Sequence, residues 1–161
     1  MLEFLTWLEG SALGEAMRGM GVWTYGVLNL FHVLGISTLF GSIIVLDLRL
    51  LGLWQRIPLR MVATPTLPLA AAGLTLAALS GICMIATNAI DYVDNPFLLI
   101  KFPAIALGLL NAAVLSRFSA WKERGSRVPS PGETRLLAVA GGASLACWFI
   151  AVGAGRMLGY W

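Results

Sequence analysis

Residues 21–46 read GVWTYGVLNLFHVLGISTLFGSIIVL, and this run contains no Asp, Glu, Lys or Arg. A helix of about 20 apolar residues crosses a hydrocarbon core about 30 Å thick. The run is therefore long enough to span a membrane. Three further apolar runs of comparable length occupy about residues 62–87, 97–116 and 136–155. The sequence predicts an all-α fold, an integral membrane four-helix bundle that forms a single membrane domain over residues 1–161.

The composition agrees with a membrane protein. Of the 161 residues, 58% are hydrophobic and 12% are charged, whereas a soluble domain carries about 25% charged residues. The net charge of +3 comes from side chains in short loops, so we interpret it as a topology signal and expect no nucleic-acid partner. Cys83 and Cys147 lie inside apolar runs without CxxC or Cys/His spacing, which excludes a zinc motif or a disulfide scaffold.

Lys and Arg are concentrated in the loops after the first and third runs. The loop between the second and third runs contains no Lys or Arg, and its charged residues are Asp91 and Asp94. Basic loops remain in the cytoplasm. We therefore expect a multi-pass protein of the bacterial inner (cytoplasmic) membrane with both termini on the outer, periplasmic side. The basic residues are Arg49, Arg56 and Arg60 in the first group, and Arg117, Lys122, Arg124, Arg127 and Arg135 in the second.

Residues 1–20 mix apolar side chains with Glu3, Glu9 and Glu15. Their apolar face is weak, and we expect one or two short helices at the membrane surface. A cleavable signal peptide would begin with positive charge, and this segment has only Arg18. It is therefore predicted to be a short interfacial helical segment that precedes the bundle.

Small and polar residues recur at helical spacing in all four apolar runs. Such residues mark helix contacts in lipid, where no hydrophobic force draws helices together. We therefore expect these faces to point into a closely packed bundle. They are Tyr25, Asn29, His32 and Gly35 in the first run; Thr66, Ala70, Gly73, Ala77 and Gly81 in the second; Lys101, Ala104, Gly108 and Asn111 in the third; and Ala138, Gly142 and Ala146 in the fourth.

His32 is the single histidine and lies about ten residues into the first run. A charged side chain at that depth is costly, so the imidazole is expected to be neutral. A neutral imidazole is a good axial ligand for haem iron, which makes His32 the candidate metal ligand. The alternative is a hydrogen bond from His32 to a neighbouring helix.

Lys101, near the start of the third run, and Arg156, at the end of the fourth, are predicted to lie near the outer surface above His32. Both could pair with haem propionates, although Lys101 could instead extend to the interface. Asn29 lies on the same face as His32, and Met84 is a candidate second axial ligand. For Met84, packing is the alternative role.

A copper site would use several of the same atoms, because thioether and thiolate ligands select Cu(I). Met20, Met84, Met157 and Cys83 are all predicted to lie toward the outer side. No Met-x-x-Met or His-rich cluster accompanies them. Nothing in the sequence forms a hydrolytic triad or a phosphate-binding glycine loop, and whether the chain is an enzyme stays open.

Residues 32–52, HVLGISTLFGSIIVLDLRLLG, resemble the first span of an uncharacterised family of small bacterial four-span membrane proteins. Residues 92–111 resemble the third span of that family, and residues 7–9 with Arg18 resemble its N-terminal segment. More distantly, the chain resembles the CopD copper-resistance family and the HemJ-type protoporphyrinogen oxidases. The HemJ resemblance implies a haem-ligating histidine at His32 and a functional lysine at Lys101.

We therefore expect a haem-b-binding membrane protein that acts in electron transfer or as a membrane subunit of a redox complex. The alternatives are a copper-handling protein of CopD type, a HemJ-like protoporphyrinogen oxidase, and a cofactor-free subunit that packs into a larger membrane complex. The expected partners are the lipid bilayer and either further copies of the chain or redox-complex subunits.

Overall fold

The computed structural model describes residues 2–160, apart from the side chain of residue 22. In this part of the chain, all regular secondary structure is helical. The α-helices are α1 (Leu2–Glu9), α2 (Ala12–Gly19), α3 (Val22–Leu50), α4 (Leu59–Thr87), α5 (Pro96–Leu115), α6 (Ser119–Lys122) and α7 (Pro131–Met157), with 3₁₀ turns at Ile90–Tyr92 and Leu158–Tyr160. The predicted all-α architecture is confirmed.

Four of these helices, α3, α4, α5 and α7, are long and apolar enough to cross a membrane, with mean hydropathy between 1.8 and 2.1. They alternate in direction along the chain. Residues 2–21, 88–95 and 158–160 therefore gather at one end of the bundle, which we call the termini end. Residues 51–58 and 116–130 gather at the other, which we call the basic end.

Local signals set the helix boundaries. The Asn95 side chain accepts a hydrogen bond from the Phe97 amide at 3.0 Å and caps α5. Ser130 and Glu133 form a reciprocal capping box at the start of α7, which satisfies amides that the first helical turn leaves without partners. At the basic end, α3 continues past its uncharged run to Leu50 and α7 begins before its own run at Pro131, because the backbone hydrogen bonds of a helix do not depend on hydropathy.

Helices α3 and α4 cross at a point where each of them has a glycine. A Cβ added to Gly35 would lie 2.6 Å from the Ala77 amide nitrogen, and one added to Gly73 would lie 2.5 Å from the Leu39 amide nitrogen. Small residues permit such close backbone approach in membrane bundles. The predicted packing face of the second run is thereby confirmed.

The packing face predicted for α7 is wrong by part of a turn. Ala146 is exposed, while Gly141, Ser144 and Trp148 are buried. The reason is the large Trp148 ring, which lies against α5 where Gly108 leaves space: a Cβ there would be 3.1 Å from the indole nitrogen. Burying this indole rotates α7 away from the orientation that its small residues suggested.

The buried side chains form two clusters. The first, at the basic end, includes Leu46, Leu59 and Trp121, and the second, at mid-bundle, includes Leu39 and Trp148. Together they join all four long helices, with α3 packed against both α4 and α7, and α5 packed against α7. The mid-bundle cluster includes Ala104 and Ala151, each about one turn from the contact between Lys101 and Gly155.

Helices α1 and α2 are docked against the termini end of α4. A Cβ on Gly14 would stand 2.8 Å from the Ala86 carbonyl oxygen. The Glu9 carboxylate accepts a hydrogen bond from the Ile90 amide at 2.8 Å. The predicted interfacial segment is thus a pair of short helices that is hydrogen-bonded to the bundle.

Candidate functional site

The His32 side chain reaches from α3 to α4. Its Nδ1 atom lies 2.9 Å from the Ala77 carbonyl oxygen and 3.1 Å from the Ser80 hydroxyl. A carbonyl oxygen can only accept a hydrogen bond, and the Ser80 hydroxyl already donates to the Leu76 carbonyl at 2.6 Å. Nδ1 must therefore carry the proton, which leaves the Nε2 atom of a neutral ring with a free lone pair.

Gly81 makes room for the imidazole. A Cβ at this position would lie 3.0 Å from the His32 Cε1 atom and 3.4 Å from Nδ1. The ring is half-buried, and within residues 2–160 its hydrogen bonds all involve Nδ1. The helix-to-helix hydrogen bond that the sequence offered as the alternative is present, but it uses one ring nitrogen and leaves the other.

Lys101 approaches the same region from α5. Its side chain is half-buried and lies against Gly155 of α7, where a Cβ would be 3.5 Å from Nζ. The Lys101 ammonium lies in the termini half of the bundle, as the His32 ring does. Among the described residues, no carboxylate forms an ion pair with it. The structure therefore places the two sequence-predicted residues His32 and Lys101 in the same half of the bundle, His32 against α4 and Lys101 against α7.

Arg156 and Asn29 lie at the edge of this region. Arg156 is exposed, with its guanidinium stacked 4.6 Å from the centre of the Tyr160 ring and hydrogen-bonded to the Tyr160 hydroxyl. Asn29 is exposed on α3, about one turn from His32. Both lie in the termini half of the bundle, and in this arrangement Arg156 is engaged by Tyr160 of its own helix end.

Met84 lines a cavity of about 420 Å³ between α2, the start of α3 and the end of α4. Arg18 at its wall donates to the Thr87 carbonyl at 3.2 Å and the Glu9 carbonyl at 2.9 Å. The remaining lining residues are Met17, Gly21, Tyr25, Thr87, Asn88 and Tyr92.

Two tyrosines add polar character to this cavity. Burial raises the pKa of Tyr92, and the neighbouring Tyr25, hydrogen-bonded to it, raises that pKa further together with Asp91. The Tyr92 phenol is therefore neutral near pH 7. No pattern in the apolar runs indicates this cavity, because α2 completes its wall and the docking of α2 onto α4 depends on tertiary structure.

The soft ligands of the copper alternative are spread over the bundle. Met20 and Met157 are exposed, and Cys83 is half-buried. Among residues 2–160, no group of three His, Cys, Asp or Glu side chains could hold a metal ion.

Comparison with known proteins identifies the family. The sequence model of a family of unknown function, DUF6644, matches residues 4–161. The chain belongs to the DUF6644 family. A search of curated proteins and a search of solved structures each return no match. DUF6644 membership covers the N-terminal helices as well as the four long ones, and the resemblances to CopD and HemJ proteins stay predictions.

Proposed function

We propose that this DUF6644 chain is a haem-b-binding membrane protein that transfers electrons or serves as the membrane subunit of a redox complex. The observation that supports the proposal is the orientation of His32, whose Nδ1 proton is held by the Ala77 carbonyl oxygen. Metal-ligating histidines almost always donate their other ring N–H to a carbonyl or carboxylate in this way. The donor set therefore fits a haem with His32 as an axial ligand.

Each side chain has a definable task in this proposal. His32 would bind iron through Nε2, and the hydrogen bond to Ala77 would orient the ring and increase its basicity. Lys101 would place a positive charge where a propionate needs one. Bound haem b would supply reversible one-electron chemistry, with a potential set by axial ligation and burial.

The other three positions have secondary roles. Met84 is the proposed second axial ligand, and Asn29 is a proposed hydrogen-bond donor at the edge of the site. Arg156 would hold a propionate only by exchanging its contact with Tyr160. Lys101 is thus the principal cation of the proposed site, because its ammonium is not engaged by a neighbouring carboxylate in the described part of the chain.

The test is an absorption spectrum of detergent-purified protein after incubation with hemin, with metal analysis of the same sample. We expect a Soret band with stoichiometric haem, lost in His32→Ala and kept in Leu30→Ala, a substitution of an exposed residue on the same helix. Wild-type protein that takes up no haem would overturn the proposal. Protein that holds neither haem nor copper would favour the cofactor-free packing subunit.

Copper handling is the second candidate, because Met17 and Met84 line the same cavity. Two thioethers are a ligand set that favours Cu(I). Stoichiometric copper without a Soret band, lost in Met17→Leu and Met84→Leu, would support this function in place of haem binding.

We also propose that the basic end faces the cytoplasm of a bacterial cell and that both termini are periplasmic. The support is the charge distribution, since Arg56, Arg60 and the 116–130 segment lie at one end while Asp91 and Asp94 lie at the other. In this orientation His32, Lys101 and the cavity belong to the outer half of the membrane.

A further inference from the structure

Asp47 is a buried carboxyl group that the proposed redox site does not use. It lies on α3 one turn before the helix ends and is 4% exposed. Its Oδ2 atom is fully buried and has no hydrogen-bond partner. The Ser144 hydroxyl on α7 is its polar neighbour, and Ser144 is itself 8% exposed.

The two helices touch at this level. A Cβ on Gly141 would lie 3.0 Å from the Asp47 carbonyl oxygen and 2.9 Å from the Leu50 Cβ. The α7 backbone therefore covers Asp47 directly. This approach leaves no space between the helices for the side chain of a counter-ion.

Within the described residues, no charged group on the helices around Asp47 forms an ion pair with it. On α3, Arg49 donates to the Ile57 carbonyl at 2.8 Å. On α4, Arg60 is exposed and lies against Gly125, and on α7, Arg135 is exposed.

The remaining elements bring no counter-ion either. The charged residue of α5 is Lys101, at the opposite end of the helix. Arg124, after α6, stacks 4.5 Å from the centre of the Trp121 ring and donates to the Trp121 carbonyl. Within residues 2–160, the ion pairs are those of Arg127 with Glu123 and Glu133.

We propose that Asp47 and Ser144 form a proton-binding site between α3 and α7, with Asp47 holding a proton in the folded bundle. An ionised carboxylate that is buried without a cation is strongly disfavoured, whereas the neutral acid is tolerated. A hard metal ion would need more oxygen ligands than Asp47 and Ser144 offer. The neighbouring backbone carbonyls lie within helices, where they already accept backbone hydrogen bonds.

Proton release at this site has a structural consequence. It would place an uncompensated negative charge at the contact between Gly141 and α3. The charge could be relieved only if α7 moves away from α3 or water enters from the basic end, one turn distant. Proton binding at Asp47 is therefore coupled to the packing of α3 against α7.

Infrared spectroscopy of the protein in lipid vesicles tests the proposal through the C=O stretch of protonated carboxyl groups. Exposed Asp and Glu side chains titrate at about pH 4. At pH 7, only a carboxyl group shielded from water is therefore still protonated and contributes to this band. We expect a band at pH 7 that shifts in D₂O, disappears in Asp47→Asn and persists in Asp94→Asn, a substitution of an exposed loop residue. A wild-type protein without the band, or a band that survives Asp47→Asn, would overturn the proposal.

A second variant covers the case in which Asp47→Asn does not fold. Ser144→Ala keeps the carboxyl group and removes its hydrogen-bond neighbour, so the band should move to higher frequency. An unchanged band would exclude Ser144 from the site. As a remaining control, the wild-type spectrum is recorded once in a choline buffer and once in a sodium buffer. Loss of the band in sodium would assign the site to a metal cation and overturn proton binding.

Discussion

Gly35 on α3 and Gly73 on α4 are reciprocal contacts: a Cβ on Gly35 would lie 3.0 Å from the Gly73 carbonyl oxygen, and one on Gly73 would lie 2.8 Å from the Gly35 carbonyl oxygen. This crossing lies less than one turn from His32. It brings α4 close enough for the imidazole to reach the Ala77 carbonyl. The geometry of the candidate site thus depends on two positions that have no side chain.

A first prediction concerns this crossing. Gly73→Val should force α3 and α4 apart and lower the free energy of unfolding by about 1 to 3 kcal/mol, the usual cost of overpacking. Thermal unfolding in detergent measures it. Gly41→Ala is the control, because a Cβ there meets nothing within 4 Å. Equal stability of the two variants would contradict the tight crossing.

A second prediction concerns the space that Gly81 leaves for the His32 imidazole. Gly81→Ala should displace the His32 ring, whose Cε1 atom would be 3.0 Å from the new methyl group. If His32 binds haem, the variant should shift the Soret band and release haem faster in competition with apomyoglobin. Gly153→Ala, at an open position on α7, should leave both properties unchanged. Wild-type behaviour of Gly81→Ala would argue against ligation by His32.

A third prediction concerns the start of α7. Ser130→Ala removes the hydroxyl that accepts from the Glu133 amide, and loss of an N-cap costs about 1 kcal/mol. The loss should appear as a lower unfolding temperature. Ser126→Ala, an exposed serine in the same loop, should not reproduce it.

A fourth prediction concerns orientation. In a chain with Cys83 and Cys147 replaced by alanine, Asp94→Cys should react with a membrane-impermeant maleimide in cells whose outer membrane has been opened. Ser126→Cys should react only after the inner membrane is permeabilised as well. The reverse pattern would place the basic end outside and refute the proposed topology.

The sequence predicts the four long helices well, because each depends on a long apolar run that contains no charged residue or, in the third run, Lys101 alone. It also predicts the face of α4 that contacts α3, since Gly73 and Ala77 are small residues whose only evident use in lipid is close approach. The face of α7 is different. A single large residue, Trp148, determines its rotation, and which helix offers space for an indole depends on tertiary structure.

The candidate site was predictable in part. The depth of His32 and the position of Lys101 follow from their places in apolar runs, and the structure places both in the termini half of the bundle. The partner of His32 is a backbone carbonyl, which no side-chain pattern reveals. The contact between Arg156 and Tyr160 and the burial of Asp47 under Gly141 also depend on helix rotations, which are set by packing rather than by local sequence.

The position of α3 between α4 and α7 has a consequence for the integrity of the molecule. A chain cut in the loop that precedes α5 would separate into two antiparallel hairpins, each retaining its own internal crossing. Reassembly of the two hairpins would then depend chiefly on the contact between α3 and α7, which contains Gly141. The DUF6644 chain can accordingly be treated as two joined modules, and co-expression of the fragments would measure the strength of their association.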